Sequence, residues 1–311
     1  MKITGLIPAT ATPFLPNGQI DHEDLKLHIE RTGAATGLYG IAVNGHAGEI
    51  ATLTSDERFS VVETARRAIP DGLKLVAGIE GRSIDELVRE GIRAKQAGAD
   101  MLLVLPIFDI RPFRHLAKMP EIVLHKFRRL NDEVGLPMII FHYSEASGCA
   151  YSVAALSAVS ELEHVVGIKA AVESTAQFAE LHDALKDRLS VLAASDSPSL
   201  LGMLLHGSPG ALISISVIGT QHWSDLVRES VSGSADKARS IHNTFARPLM
   251  DAVFEDQMRR SSISPFGATK EALVQLGQMK SSWMRPPSVN VNDAKKRAIR
   301  NALVQSGLLR A

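Results

Sequence analysis

A lysine embedded in the apolar run VVGIKAAV, at position 169, is the residue of this chain whose setting most demands a chemical explanation. Lysine is rarely buried without a reason. If the run is a strand, alternation places Val165, Gly167, Lys169 and Ala171 on one face, with Gly167 leaving room beside the lysine stem. Against an apolar interior an ammonium is desolvated, its pKa falls, and a neutral amine becomes available. Such an amine attacks ketones and aldehydes to form an imine, an electron sink for C–C cleavage or dehydration. The same position also suits a lysine that reaches past the strand end or pairs with Asp196 for structural reasons. Position and environment weigh the two readings equally.

Other groups of the right type stand near the same strand ends. In the segment NGHAGE (44–49), small residues let backbone N–H groups approach a ligand, as in a carboxylate nest, and the segment reads equally as a turn before the next helix. His46 and His142 are proton shuttles or hydrogen-bonded surface histidines. Tyr143 is a phenolic proton donor or a packed aromatic, with packing slightly favoured. Eleven histidines occur without H-x-x-x-H or H-E-x-x-H spacing, so no local motif points to a metal. The single cysteine, Cys149, excludes an intrachain disulfide framework and reads as a packed thiol.

The elements that must position these groups are legible as alternating apolar runs and amphipathic segments. Eight candidate strands occupy 3–9, 38–44, 73–79, 100–106, 137–143, 165–171, 189–195 and 210–216. Between them, Ser83 caps a helix that carries Ile84, Leu87, Val88, Gly91 and Ile92 on one face, with Glu86 completing a capping box and Gly98 just past the end. Thr54 with Glu57 opens another helix in the same way. Beyond about residue 220 the pattern turns wholly helical, over 223–233, 235–258, 265–279 and 292–307. The fold class expected is α/β: a (β/α)8 TIM barrel over 1–222, with 223–311 supplying the closing helix and a C-terminal helical extension packed as one unit. A doubly wound open sheet ranks second, because no glycine-rich dinucleotide fingerprint follows the first strand.

In such a barrel, catalytic groups project from the C-terminal ends of the strands. Lys169 and Asp196 fall there, whereas Lys74 starts its strand at the opposite end. The 311 residues carry 34 basic and 34 acidic side chains, so no electrostatic footprint for nucleic acid or an acidic membrane is present. Pro8 and Pro13 interrupt the N-terminal apolar run and no stretch reaches transmembrane length. The expectation is a cytoplasmic protein whose partners are a small molecule and further copies of itself.

With these residues in place, the chain resembles the dihydrodipicolinate synthase and N-acetylneuraminate lyase family of class I aldolases over nearly its whole length. GLIPATATPF is similar to the family's G-x-x-x-A-x-x-T-P-F, and GHAGEIATLTSDER to its G-T-T-G-E and following helix start. LVAGIEGRSIDEL, AKQAGADMLLVLP, GIKAA, ATKEALVQLGQM and the Arg285-Pro286-Pro287 step follow in the family's order. The resemblance implies a barrel with a helical extension, assembled as a homotetramer or dimer, without cofactor or metal. It implies a Schiff base on Lys169 with pyruvate or another 2-keto acid. It further implies substrate contacts at Thr12, Gly45, Ala47 and Ile213, with His46, His142 and Tyr143 as candidate proton carriers.

The departures point away from the synthase reaction itself. The family's two threonines correspond to His46 and Ala47, and its relay tyrosine aligns with Phe141. Tyr143 and His142 are the available substitutes. Ile107-Phe108 replaces an aromatic pair, and the arginine that binds the second substrate falls on Ala146. The leading expectation is a lyase of aldolase or dehydratase type; the alternative is a barrel that binds a keto acid as a sensor without turnover. Specificity would lie in the loops 109–119 and 144–151.

Overall fold

The computed structural model describes residues 1–106, 116–255 and 265–310. Eight strands form one parallel sheet: β1 (Gly5–Pro8), β2 (Gly40–Val43), β3 (Lys74–Ile79), β4 (Met101–Val104), β5 (Met138–Tyr143), β6 (Val165–Ala171), β7 (Ser190–Ala193) and β8 (Gly210–Ile213). Their order is β1-β8-β7-β6-β5-β4-β3-β2. Parallel bridges Leu6–Leu38 and Ala9–Ala42 join the two ends, so the sheet closes into a barrel. Each observed strand falls inside a range read from the sequence, as expected of buried parallel strands.

Among the described residues, the helices between strands are α1 (His22–Gly33), α2 (Ser55–Ala68), α3 (Ile84–Gln96), α4 (Pro120–Glu133), α5 (Val153–Val159), α6 (Thr175–Leu185) and α7 (Ser199–Leu205). Their starts follow local chemistry. Thr54 and Glu57 form the reciprocal capping box expected for α2. At α3, Ser83 accepts from Glu86 N, but the Glu86 carboxylate reaches Arg82 N instead of Ser83, so only half of the expected box forms. Gly98, at φ +100°, turns the chain after α3 where only glycine is unstrained.

The core has two layers. Ile7, Ala42, Val76, Met101, Leu103, Ile139, Leu192 and Leu212 fill the barrel interior, and a larger cluster lies between the strands' outer faces and the helices. Strand β6 departs from strict alternation. Met138 pairs with Val165 and Ile139 with Gly167, so one extra residue is inserted at Val166. This bulge puts Val166 in the interior cluster and Val165 in the outer one, which corrects the shared face expected for Val165 and Lys169. The space beside Gly167 is also used differently: a Cβ there would lie 3.1 Å from Ile3 Cδ1 and 3.0 Å from Ser190 O. Gly167 admits the Ile3 side chain and the Ser190 backbone, not the lysine stem.

Helix α8 (Thr220–Val231) closes the barrel, with buried Trp223 donating to Ile218 O at 2.8 Å and Ser224 donating to Thr36 O at 2.6 Å. Helix α9 (Ala235–Ile241) continues through a π turn (His242–Ala246), an α turn (Arg247–Met250) and a second π turn (Asp251–Glu255). Helices α10 (Pro265–Gln275) and α11 (Asp293–Gln305) complete the extension. It grips the barrel through Arg285, whose guanidinium bonds Thr52 O at 2.7 Å and both Glu57 oxygens at 2.8 and 2.9 Å. Among the described residues no helix is long and apolar enough to cross a membrane.

Candidate active site

The C-terminal ends of the strands open onto a cavity of about 590 Å³, and Lys169 lines it. Its position follows from the bulge: β6 resumes alternation at Gly167, so Lys169 and Ala171 face inward beside Phe141 and Tyr143 of β5. The Lys169 ammonium lies 3.9 Å from the centroid of the Phe141 ring. Burial lowers its pKa from 10.5 to about 8, and the nearby Asp196 acts in the opposite direction without cancelling it. The structural alternative, a lysine tied to Asp196, is not realised: the Asp196 carboxylate is already engaged by Ser214 N at 3.0 Å, Ser214 Oγ at 2.9 Å and Ile215 N at 2.8 Å. Asp196 is a charge near the amine and not its partner.

Tyr143 stacks on Phe141 with centroids 4.3 Å apart, and its hydroxyl reaches Nε2 of His46 at 2.6 Å. Burial, reinforced by the Lys169 ammonium, lowers His46 to about 3. Burial also raises the Tyr143 phenol well above its usual value. At neutral pH the pair is therefore a neutral imidazole accepting from a protonated phenol.

The loop that carries His46 is built by close backbone approach. Asn44 and Glu49 adopt left-handed conformations at φ 52° and 56°. A Cβ on Gly78 would come within 1.8 Å of Asn44 O, so only glycine lets β3 lie this close. Thr12 Oγ1 donates to Gly48 O at 2.8 Å. Glu49, the acid of the G-T-T-G-E-like segment, points away from the cavity into a buried ion pair with Lys270 of α10. Turn bonds within the loop consume the N–H groups of Gly48, Glu49 and Ile50.

The structure thus brings Lys169, Tyr143, His46 and Ala47 together around one cavity. It does not bring His142 or Ile213 there. His142 takes the opposite face of β5, with its ring 6.4 Å from that of Tyr151, and burial lowers it to about 4. The Ile213 side chain lies in the outer core, and its carbonyl accepts from Ala9 N at 3.0 Å and Ser216 Oγ at 2.8 Å. Thr12 and Gly45 support the loop from below rather than lining the cavity.

Several lining residues escaped sequence reasoning. Ser195, Ser197 and Ser199 follow β7, while Arg247, Met250, Phe254 and Phe266 come from the C-terminal extension; Ser214, which also lines the cavity, stands among the strand-end positions 213–216 where catalytic groups are expected. The serines had a signal, since they stand at or just beyond the end of the expected strand 189–195. The extension residues had none, because nothing local says that these helices reach the barrel mouth. Ile107, Phe108 and most of the 109–119 loop lie outside the described residues.

With the geometry established, comparison with known proteins is decisive. The model of the dihydrodipicolinate synthetase family matches residues 2–306. The chain belongs to that family. Curated relatives named 4-hydroxy-tetrahydrodipicolinate synthase include one from Phenylobacterium zucineum, 30% identical over 98% of this chain and 98% of its own. Another, from Rhodopseudomonas palustris, is 29% identical over 98% of this chain and 97% of its own. A solved dihydrodipicolinate synthase from Aquifex aeolicus superposes with a TM-score of 0.85 at 27% identity, covering 99% of this chain and all (100%) of that one. A prophage protein of the family from E. coli K12, solved in complex with pyruvate, gives a TM-score of 0.85 at 23% identity, with 99% of each chain covered, and shares the fold. Membership in the synthetase family bears out the resemblance drawn from the sequence motifs and agrees with the expectation of a Schiff-base aldolase-type lyase.

Proposed function

We propose that this protein is a lyase in which Lys169 forms an imine with pyruvate or a hydroxylated 2-keto acid, and in which Tyr143 and His46 replace the proton relay of the synthase. The observation that carries the reading is the buried Lys169 amine at the cavity wall, lowered to about 8. A large part of it is neutral just above physiological pH, where it can attack.

The reaction then runs as follows. Nζ of Lys169 adds to the keto carbon, and the carbinolamine loses water to give an iminium. The iminium draws electrons from the adjacent carbon, whose proton passes to the Tyr143 oxygen as the Tyr143 proton moves to Nε2 of His46. The resulting enamine adds to an electrophilic carbonyl, and the reverse sequence cleaves the same bond. Positive charge arising on His46 near the iminium is offset by the substrate carboxylate, held by the backbone at 46–47, which raises the basicity of the imidazole above its ligand-free value. The hydroxyls of Ser144, Ser195, Ser197 and Ser199 along the wall favour a substrate with several hydroxyl groups. Ala146, where the synthase has its arginine, sits in the exposed turn Glu145–Ser147 and supplies no charge for a second carboxylate.

Exchange of the methyl protons of pyruvate in deuterated water, followed by NMR, separates this reading from that of a keto-acid sensor. Enzyme-dependent exchange that disappears in Lys169→Ala is expected. Saturable pyruvate binding with no exchange and no conversion of any keto-sugar acid would favour the sensor.

A further inference from the structure

At the opposite end of the barrel, α6 and α7 end side by side, and His182, Asp183 and His206 converge there. One nitrogen or oxygen from each lies within 4.8 Å of the others. Nδ1 of His182 is 3.4 Å from Oδ1 of Asp183, and Nε2 of His206 is 3.6 Å from that same oxygen. Tetrahedral bonds of about 2.0–2.1 Å to a metal place donor atoms roughly 3.4 Å apart. Two edges of such a tetrahedron are therefore already present.

The tautomer of His182 strengthens the case. Its Nε2 lies 3.0 Å from the Gly207 carbonyl, which can only accept, so Nε2 carries the hydrogen. In the neutral ring Nδ1 is then a lone pair, and it faces a carboxylate oxygen that is also acceptor-only. Two acceptors in that arrangement are suited to a cation between them, a second ring proton or a metal ion, beside the Lys186 ammonium that already lies 3.0 Å from the same oxygen. An imidazole anchored to a carbonyl through one nitrogen and aimed with the other is how metal-binding histidines are oriented. Phe178 fixes both rings, stacking on His182 at 5.6 Å and meeting His206 edge-on at 6.2 Å.

We propose that His182, Asp183 and His206 bind a divalent transition-metal ion of the Zn²⁺ type, with water as fourth ligand, which ties α6 to α7 at the non-catalytic end of the barrel. Two imidazoles and one carboxylate select Zn²⁺, Cu²⁺ or Ni²⁺ over Mg²⁺ and Ca²⁺. Lys186 competes for the site, because its Nζ lies 3.0 Å from Asp183 Oδ1. The role is separate from imine chemistry, since none of the three ligands lines the catalytic cavity.

The test is calorimetric titration of chelator-treated full-length protein with Zn²⁺ near neutral pH, beside His206→Ala, Asp183→Asn and Lys186→Met. One equivalent is expected to bind, at least about tenfold more weakly in the first two variants, and more tightly in Lys186→Met. At a hundredfold excess over Kd, Tm should rise by roughly 4 °C. The Cu²⁺ form should show nitrogen ligation by electron paramagnetic resonance. Unchanged circular dichroism would establish that the variants fold. Absence of a one-equivalent event in the wild type, or binding undiminished in His206→Ala, overturns the proposal.

Discussion

Lys169 combines two demands that conflict, since the burial that makes it a nucleophile also destabilises the fold. The lowering from 10.5 to about 8 corresponds to about 3 kcal/mol at neutral pH. Below the folded value both folded and unfolded chains hold the proton and the penalty is constant. Between about 8 and 10.5 only the unfolded chain holds it, so stability rises with pH there. Lys169→Met should therefore abolish activity yet raise Tm, and should remove the alkaline gain in stability; thermal melts across pH check both. Activity should rise with pH through about 8, with no inflection from His46, whose pKa near 3 lies below the working range. Tyr143→Phe should reduce proton exchange by about 10²–10⁴-fold while leaving adduct formation on Lys169 intact. The sequence showed Lys169 by its apolar neighbours, but it left Tyr143 and His142 as equals. Alternation along β5 separates them, and only the three-dimensional register says which face meets Lys169.

At the scale of elements, the site depends on a loop clamped from two sides. Gly78 lets β3 lie against the backbone of Asn44, and Glu49 is tied to Lys270, both side chains being almost wholly buried. Lys270→Met leaves a buried, unpaired carboxylate and should destabilise by about 3–5 kcal/mol. The double variant Glu49→Gln/Lys270→Met should recover part of that loss in denaturant titrations. Gly78→Ala should cost more than an ordinary surface substitution, because the added carbon meets backbone and not a mobile side chain. Strand and helix positions were legible because buried parallel strands read as apolar runs and because Thr54, Ser83 and Gly98 are explicit end signals. The bulge at Val166 was not, since one inserted residue leaves composition and apolar length unchanged.

At the scale of the molecule, the eight-fold alternation of strands and helices made the barrel readable, whereas the reach of the extension over its mouth depends on long-range packing. Three histidines buried with lowered pKa values, His28 at about 4, His46 at about 3 and His142 at about 4, impose an acid limit. As pH falls below the unfolded value of about 6.5, the unfolded chain takes up protons that the folded one refuses. Stability should drop by up to about 1.4 kcal/mol per pH unit for each, a slope that His28→Gln should reduce. Self-association is proposed from the family resemblance, and light scattering should return a multiple of the 33.6 kDa chain mass.

The central claim is the imine on Lys169, and borohydride reduction in the presence of pyruvate or a keto-sugar acid tests it most directly. Peptide mass spectrometry should place one reduced adduct, a carboxyethyl group in the pyruvate case, on Lys169 and none on Lys169→Ala. An adduct on another lysine, or none with any 2-keto acid tried, would contradict it.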